Sequence, residues 1–212
     1  MPAEPLTAEV PGPVSALRRS PLADHPGLAG VRSAGGRGVD LAEVPFLAQV
    51  VLRVTEPGPA ADRVAQLLGV RLPTTPNTVA TVGARAVLWL RPDEWLVVGP
   101  DGDLPALARG LTDAVGADPG TVVDVSANRT VVEVRGPDAR HLLCKGIALD
   151  LHPRAFSAGR CAQTLLARTQ VVLWQTGDAP AYRLLVRASF ACYLADWLVD
   201  GAFEYEGEGT LR

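Results

Sequence analysis

His141 and Cys144 stand at positions i and i+3 of a stretch with helical character, and His152 and Cys161 follow at longer spacing. Imidazole and thiolate are zinc ligands, but a zinc site needs three or four of them at workable spacing. No pair here has the spacing of a finger, and a buried cysteine commonly packs as a small hydrophobe. Ser126, in Asp124-Val125-Ser126, is a possible nucleophile. It lacks the flanking glycines of a nucleophile elbow, so an Asx- or Ser-type turn at a strand end is expected. Gly99-Pro100-Asp101-Gly102 lies between a strand and a helix, where a phosphate loop would lie. It matches neither GxGxxG nor GxxxxGK[ST], and Asp101 and Asp103 would repel phosphate.

Carboxylates offer no clearer pair. Asp93-Glu94 follows Pro92 in a turn and is expected to face water. Glu204, Glu206 and Glu208 read as a solvated acidic end. Trp89, Trp95, Trp174 and Trp197 fall in strand or helix patterns, so core packing is their default, with an interface anchor as the alternative for one or two. The residues alone give no catalytic, cofactor-binding or metal-binding set. That points to a binding or structural subunit.

The elements that would position these residues follow from periodicity. Residues 1–45 are rich in Pro, Gly and Ala without helix or strand period. They read as an irregular arm with at most a short turn around Ser20-Pro21-Leu22. From there the pattern predicts strands over 46–54, 79–82, 85–90, 94–98 and 121–125, the last of them buried, with helices over 60–68 and 104–115. The order then recurs. Strands are expected over 129–135, 161–168, 171–175 and 182–186, and helices over 139–145 and 190–199, the last with Phe190, Leu194, Trp197 and Leu198 on one face.

Segments of the two halves can be laid over each other. Val51–Val54 matches Val131–Val134, Gly58-Pro59 matches Gly136-Pro137, Leu68-Gly69 matches Lys145-Gly146, and Leu88-Trp89 matches Leu173-Trp174. The fold class expected is α+β, with duplicated β-α-β-β-α halves joined through one sheet system. The divisions are an arm over 1–45, a first half over 46–125, a second over 126–201 and an acidic tail over 202–212.

Composition bounds the setting. The chain has 212 residues, 48% hydrophobic and 20% charged, which excludes wholesale disorder. Its net charge of −3 argues against a nucleic-acid partner. Of 20 basic residues only Lys145 is lysine, which fits an Arg-rich coding bias. The three cysteines are an odd number, so a reducing cytoplasm is expected. Four prolines precede Val14, unlike a secretory leader, and no run of 18 apolar residues would span a membrane.

A set of stretches in order carries a family resemblance. They are Ser20-Pro-Leu-Ala23, Leu90-Arg-Pro-Asp-Glu-Trp-Leu96, Val122-Val-Asp-Val-Ser-Ala-Asn-Arg129, Gly136-Pro-Asp-Ala139, Lys145-Gly146 through Asp150-Leu-His-Pro153, Gln163-Thr-Leu-Leu-Ala167 and Tyr182-Arg-Leu-Leu-Val-Arg-Ala-Ser-Phe190. Over roughly residues 18–200 the chain resembles the gamma subunit of bacterial heterotetrameric sarcosine oxidase. That family is similar to the folate-binding aminomethyltransferases, a duplicated α+β fold. The resemblance implies a non-catalytic structural subunit beside alpha, beta and delta subunits, with alpha in direct contact. It implies that FAD, FMN, NAD, tetrahydrofolate and zinc sit on the other subunits and none on this chain. The complex would oxidatively demethylate sarcosine to glycine, with tetrahydrofolate taking the one-carbon unit. One departure bears on folate. Where aminomethyltransferases carry a Gly-Gly-apolar-apolar-Asp-Asp stretch, this chain has Gln170-Val-Val-Leu-Trp174, without a carboxylate. The alternatives are a stand-alone folate-dependent aminomethyltransferase-like protein and a scaffold of another amine dehydrogenase complex.

Overall fold

The computed structural model describes residues 18–32 and 38–205. The remainder of the arm, and Glu206 and Glu208 of the acidic tail, lie outside the described residues.

The first half runs β2 (Ala48–Val54), α1 (Pro59–Leu68), β3 (Val79–Val82), β4 (Arg85–Arg91), β5 (Glu94–Gly99), α2 (Leu104–Val115) and β6 (Gly120–Asp124). The second runs β7 (Arg129–Arg135), α3 (Ala139–Cys144), β8 (Cys161–Leu166), β9 (Thr169–Gly177), β10 (Ala181–Arg187) and α4 (Ala191–Ala202). Every helix and strand expected after residue 46 is present, with small shifts of its ends. Helix α1 starts on Pro59, whose missing N–H is no loss there, and stops at Gly69 in the left-handed conformation (φ 74°).

The halves form two antiparallel sheets rather than one system. The strand orders are β3-β4-β5-β2-β6 and β8-β9-β10-β7-β1, where β1 is Asp40–Glu43. Element by element the orders superimpose, which shows the duplication. The sheets separate because their central strands are apolar on both faces. In the first, Val50, Leu52, Val87, Trp95 and Val97 face α1 and α2. Ala86, Leu88, Leu90, Leu96 and Val98 point the other way, onto Val131, Val172, Trp174 and Leu185 of the second sheet. Alternate residues of a strand serve opposite faces, so each sheet buries one face on helices and one on its partner. The result is four layers: helices, sheet, sheet, helices.

The arm is more ordered than expected. Leu22, Leu28, Val31, Val39 and Leu41 all enter the second core, beside α3 and α4. Strand β1 pairs antiparallel with β7, Leu41 opposite Val134. It takes the place in the second sheet that β6 takes in the first. These apolar residues are spaced without period because tertiary burial, not a regular element, places them. Strand β6 departs in the opposite sense. It is an edge strand with Val123 48% exposed, so its apolar run is not a buried one. Phe190 also leaves the buried face; it lies in a short 3-10 turn before α4 and is 46% exposed.

Gly136 is where β1 and the second half meet. Its φ is 112°, and a Cβ there would stand 2.6 Å from the carbonyl oxygen of Gly38. The same crossing holds Asp138 N–H on Gly38 O at 3.2 Å and Gly38 N–H on the Asp138 carboxylate at 2.8 Å. Gly136→Ala adds left-handed strain and a backbone clash together. Its expected effect is a fall in Tm of about 5 °C or more, read by differential scanning calorimetry. An unchanged Tm would show that β1 is not held against this turn.

Candidate interaction surface

The structure scatters the residues that the sequence offered for chemistry. His141 is exposed, with Nδ1 3.3 Å from Asp138 Oδ1. His152 Nδ1 accepts the Arg154 backbone N–H at 3.3 Å, and its own N–H donates to Asp150 Oδ1 at 2.9 Å, so both groups close a turn. Among the described residues no three His, Cys, Asp or Glu side chains gather as metal ligands. Ser126 N–H donates to Asp124 Oδ1 at 2.9 Å, the Asx turn expected at that strand end, while its Oγ accepts Gln49 N–H at 2.9 Å. Glu94 differs from its expected exposed place. Its carboxylate is largely covered and pairs with Arg91 at 2.5 Å and Arg53 at 3.3 Å. In the Gly99–Gly102 loop, Asp101 receives Arg18 Nη1 at 2.7 Å, and that guanidinium lies 4.2 Å from the centre of the Phe46 ring.

The cysteines divide by environment. Cys144 and Cys192 are exposed, whereas Cys161 is buried between the sheets. Its Sγ faces the carbonyls of Trp89 at 3.4 Å and Thr78 at 3.6 Å. Burial pushes its thiol up to about 11. A thiolate is the reactive form. A maleimide at about pH 7 is therefore expected to label Cys144 and Cys192 in the native chain and Cys161 only after denaturation. Peptide mass spectrometry checks this, and native labelling of Cys161 would contradict its placement.

Ion pairs fix the walls of the surface. Asp103, at the start of α2, accepts Arg85 Nε and Nη2 of β4, each at 2.7 Å. That forked hydrogen bond first, and the Arg85 charge after it, hold the Asp103 carboxyl below its ordinary value against the opposing effect of burial. A depressed folded-state value means the pair stabilises the fold above the unfolded value, about pH 3.9. That contribution is lost as pH falls through the folded-state value. Asp103→Asn is expected to lower stability by about 1 kcal/mol near neutral pH, with the difference from the parent chain shrinking as the pH drops below about 4. Urea melts across pH test the sign. A gap that widens in acid would refute it.

Arg129 and Arg187 are the residues that sequence reading missed. Arg129 opens β7 and Arg187 ends β10, and the strand register sets them directly opposite each other. Directly opposed residues share a sheet face. Arg129 is half-buried, and its Nη1 is shielded from solvent without a hydrogen-bond partner among the described residues. Burial, and then the Arg187 charge, push its guanidinium below the ordinary arginine value. Both line a cavity of about 360 Å³ with Gln163, Thr164, Leu165 and Gln170. Arg129 also borders a more apolar cavity of about 660 Å³, whose wall includes Phe46, Leu104, Pro105 and Ser126. The Gln49 side chain donates to the Arg129 carbonyl at 3.0 Å and fixes the strand start. Each arginine lies in one of the stretches quoted above, but nothing local pairs them; only the register, which spans 58 positions of chain, brings them together.

The model of the sarcosine oxidase, gamma subunit family matches residues 54–204. The chain belongs to that family. It is 41% identical over 191 residues to the sarcosine oxidase subunit gamma of Corynebacterium sp. strain U-96, covering 89% of this chain and 92% of the relative. It is 40% identical over 192 residues to that of an Arthrobacter species, covering 90% and 93%. Among solved structures, the heterotetrameric sarcosine oxidase of Corynebacterium sp. U-96 contains a chain that superimposes with a TM-score of 0.82 at 41% identity, over 89% of this chain and 96% of that one. The aminomethyltransferase T of the Bartonella henselae glycine cleavage system shares the fold, with a TM-score of 0.63 at 13% identity over 84% of this chain and 56% of that one. The duplicated α+β architecture is thus the aminomethyltransferase fold. In that frame Gln170-Val-Val-Leu-Trp174 is part of β9, with Trp174 buried under the Arg183 guanidinium, 5.3 Å from the ring centre. Among the described residues no helix is long and apolar enough to cross a membrane.

Proposed function

We propose that this chain is a structural, non-catalytic subunit of a heterotetrameric sarcosine oxidase. It acts by fitting against alpha, beta and delta subunits, with the alpha subunit in direct contact. FAD, FMN, NAD, tetrahydrofolate and zinc sit on those companions, in the cytoplasm. The observation that carries the reading is the match to gamma subunits across most of both chains. The lack of a carboxylate over Gln170–Trp174 supports it, because a protonated amine or pterin N–H is best held by one. The duplicated body, 46–125 and 126–201, is the docking unit of this reading. A permanent interface of this kind is expected to bury about 2,000 Å² or more, with an apolar centre.

Co-expression with the neighbouring flavoprotein subunits tests it. The expected outcome is co-elution as one flavin-bearing complex on size exclusion. Omitting this chain is expected to reduce the yield of active complex. If a complex lacking it assembles and turns over sarcosine equally well, the reading is wrong. The competing activity has its own readout. Micromolar binding of tetrahydrofolate by the isolated chain would favour an aminomethyltransferase-like carrier instead.

A further inference from the structure

The geometry points to Arg129 and Arg187 as the seat of a partner subunit's carboxylate, an Asp or Glu side chain set in an apolar surface. This rests on the subunit reading above. Three observations meet here. Two guanidinium groups face each other across β7 and β10 in direct register. Like charges so placed destabilise a sheet unless something neutralises them. Elsewhere on the same face the chain supplies its own counterion. Glu133, four residues along β7 from Arg129, accepts Arg183 at 3.2 Å and Arg135 at 2.7 Å. At Arg129 the described residues supply none: Nη1 is shielded from solvent and has no hydrogen-bond partner among them. A buried donor without an acceptor is costly, and a charged one more so.

The surroundings choose the occupant. Leu165, 54% exposed, lines the same cavity. Phe190 and Tyr193, exposed as well, follow Arg187 at the same end of β10. The Tyr193 hydroxyl accepts the Arg168 N–H at 3.3 Å, at the β8–β9 turn that follows Leu165 and Leu166 in the chain. Leu165 in the cavity with the paired arginines, and Phe46, Leu104 and Pro105 in the second cavity that Arg129 borders, fit a protein surface that excludes water and so strengthens the ion pair. A free anion gains nothing from such a rim. Gln163 and Gln170, on the same cavity wall, can complete the shell around a carboxylate.

Two variants test the assignment in the co-expressed complex, with affinity measured by biolayer interferometry on immobilised companion subunits. Arg187→Glu changes an exposed side chain, so the chain is expected to fold normally. Its association is expected to weaken about 30-fold or more. Raising the salt should weaken the parent chain more than this variant. Arg129→Met removes the buried charge and keeps much of the volume. It is expected to leave the Tm of the free chain unchanged or raise it, while weakening association about tenfold or more. A purely structural arginine would lower Tm instead, so a lower Tm overturns the proposal. Association of Arg187→Glu within about twofold of the parent also overturns it. So does a rise in Tm of the free chain with millimolar inorganic phosphate that Arg187→Glu abolishes while assembly stays normal; the seat then takes a free anion. If the parent chain itself does not associate, the subunit reading fails with it.

Discussion

The structure depends on two-sided burial of its central strands. Leu88, Leu96 and Val98 on one sheet meet Val131, Val172, Trp174 and Leu185 on the other, with Cys161 among them. Burying a side chain of this kind is worth about 1.5–3 kcal/mol. The stack therefore holds two otherwise separate half-domains as one body. It also decides where binding groups can stand. Interior positions of the central strands are filled by apolar side chains, which leaves strand ends for charged ones. Arg129 and Arg187 occupy such an end, at the first residue of β7 and the last of β10.

The same constraint explains the unequal ends of the repeat. Each half is a β-α-β-β-β-α unit, one strand more than the β-α-β-β-α pattern expected, and a five-stranded sheet built on its four strands lacks one of its own. The first half takes β6, from the connection that follows it. The second half takes β1, from the segment that precedes the first half. The chain therefore closes on itself: its early residues complete the later sheet. Leu22 and Leu28 bury in the second core, and His25 Nε2 stands 3.0 Å from Asp196 of α4, by the same route. Lys145 closes the other side of that core. Its ammonium donates to Gly201 O at 2.9 Å, pairs with Glu204 and lies over the Tyr205 ring.

Periodicity made most of this legible. Alternation and helical spacing located every element after residue 46, and the repeat was visible in pairs such as Leu88-Trp89 and Leu173-Trp174. What stayed hidden was whatever depends on a partner in space. Four residues, Asp40–Glu43, are too few for a period, and only pairing to β7 makes them a strand. Thr121–Val125 has the composition of a buried strand, yet β6 is an edge, because no strand lies beyond it. An apolar run reports that a segment can be buried, not that a neighbour arrives to bury it. The ordered motifs identified the family and include both Arg129 and Arg187, but nothing in them shows that the two stand together. Each arginine alone reads as an ordinary strand-end charge.

An arginine is suited to that position in a way lysine is not. Its guanidinium stays charged under desolvation that would discharge an ammonium, and its forked donors can serve two acceptors at once. Arg85 on Asp103 shows the fork satisfied within the chain. Arg129 presents the same fork with a buried nitrogen left over. On the reading proposed above, the difference between them is not burial alone but which chain contributes the acceptor. A monomer under no constraint but its own stability gains by exchanging Arg129 for an apolar residue, as buried charges elsewhere can be exchanged. Retaining the charge opposite Arg187 is understandable when the free chain is not the state in which the surface works.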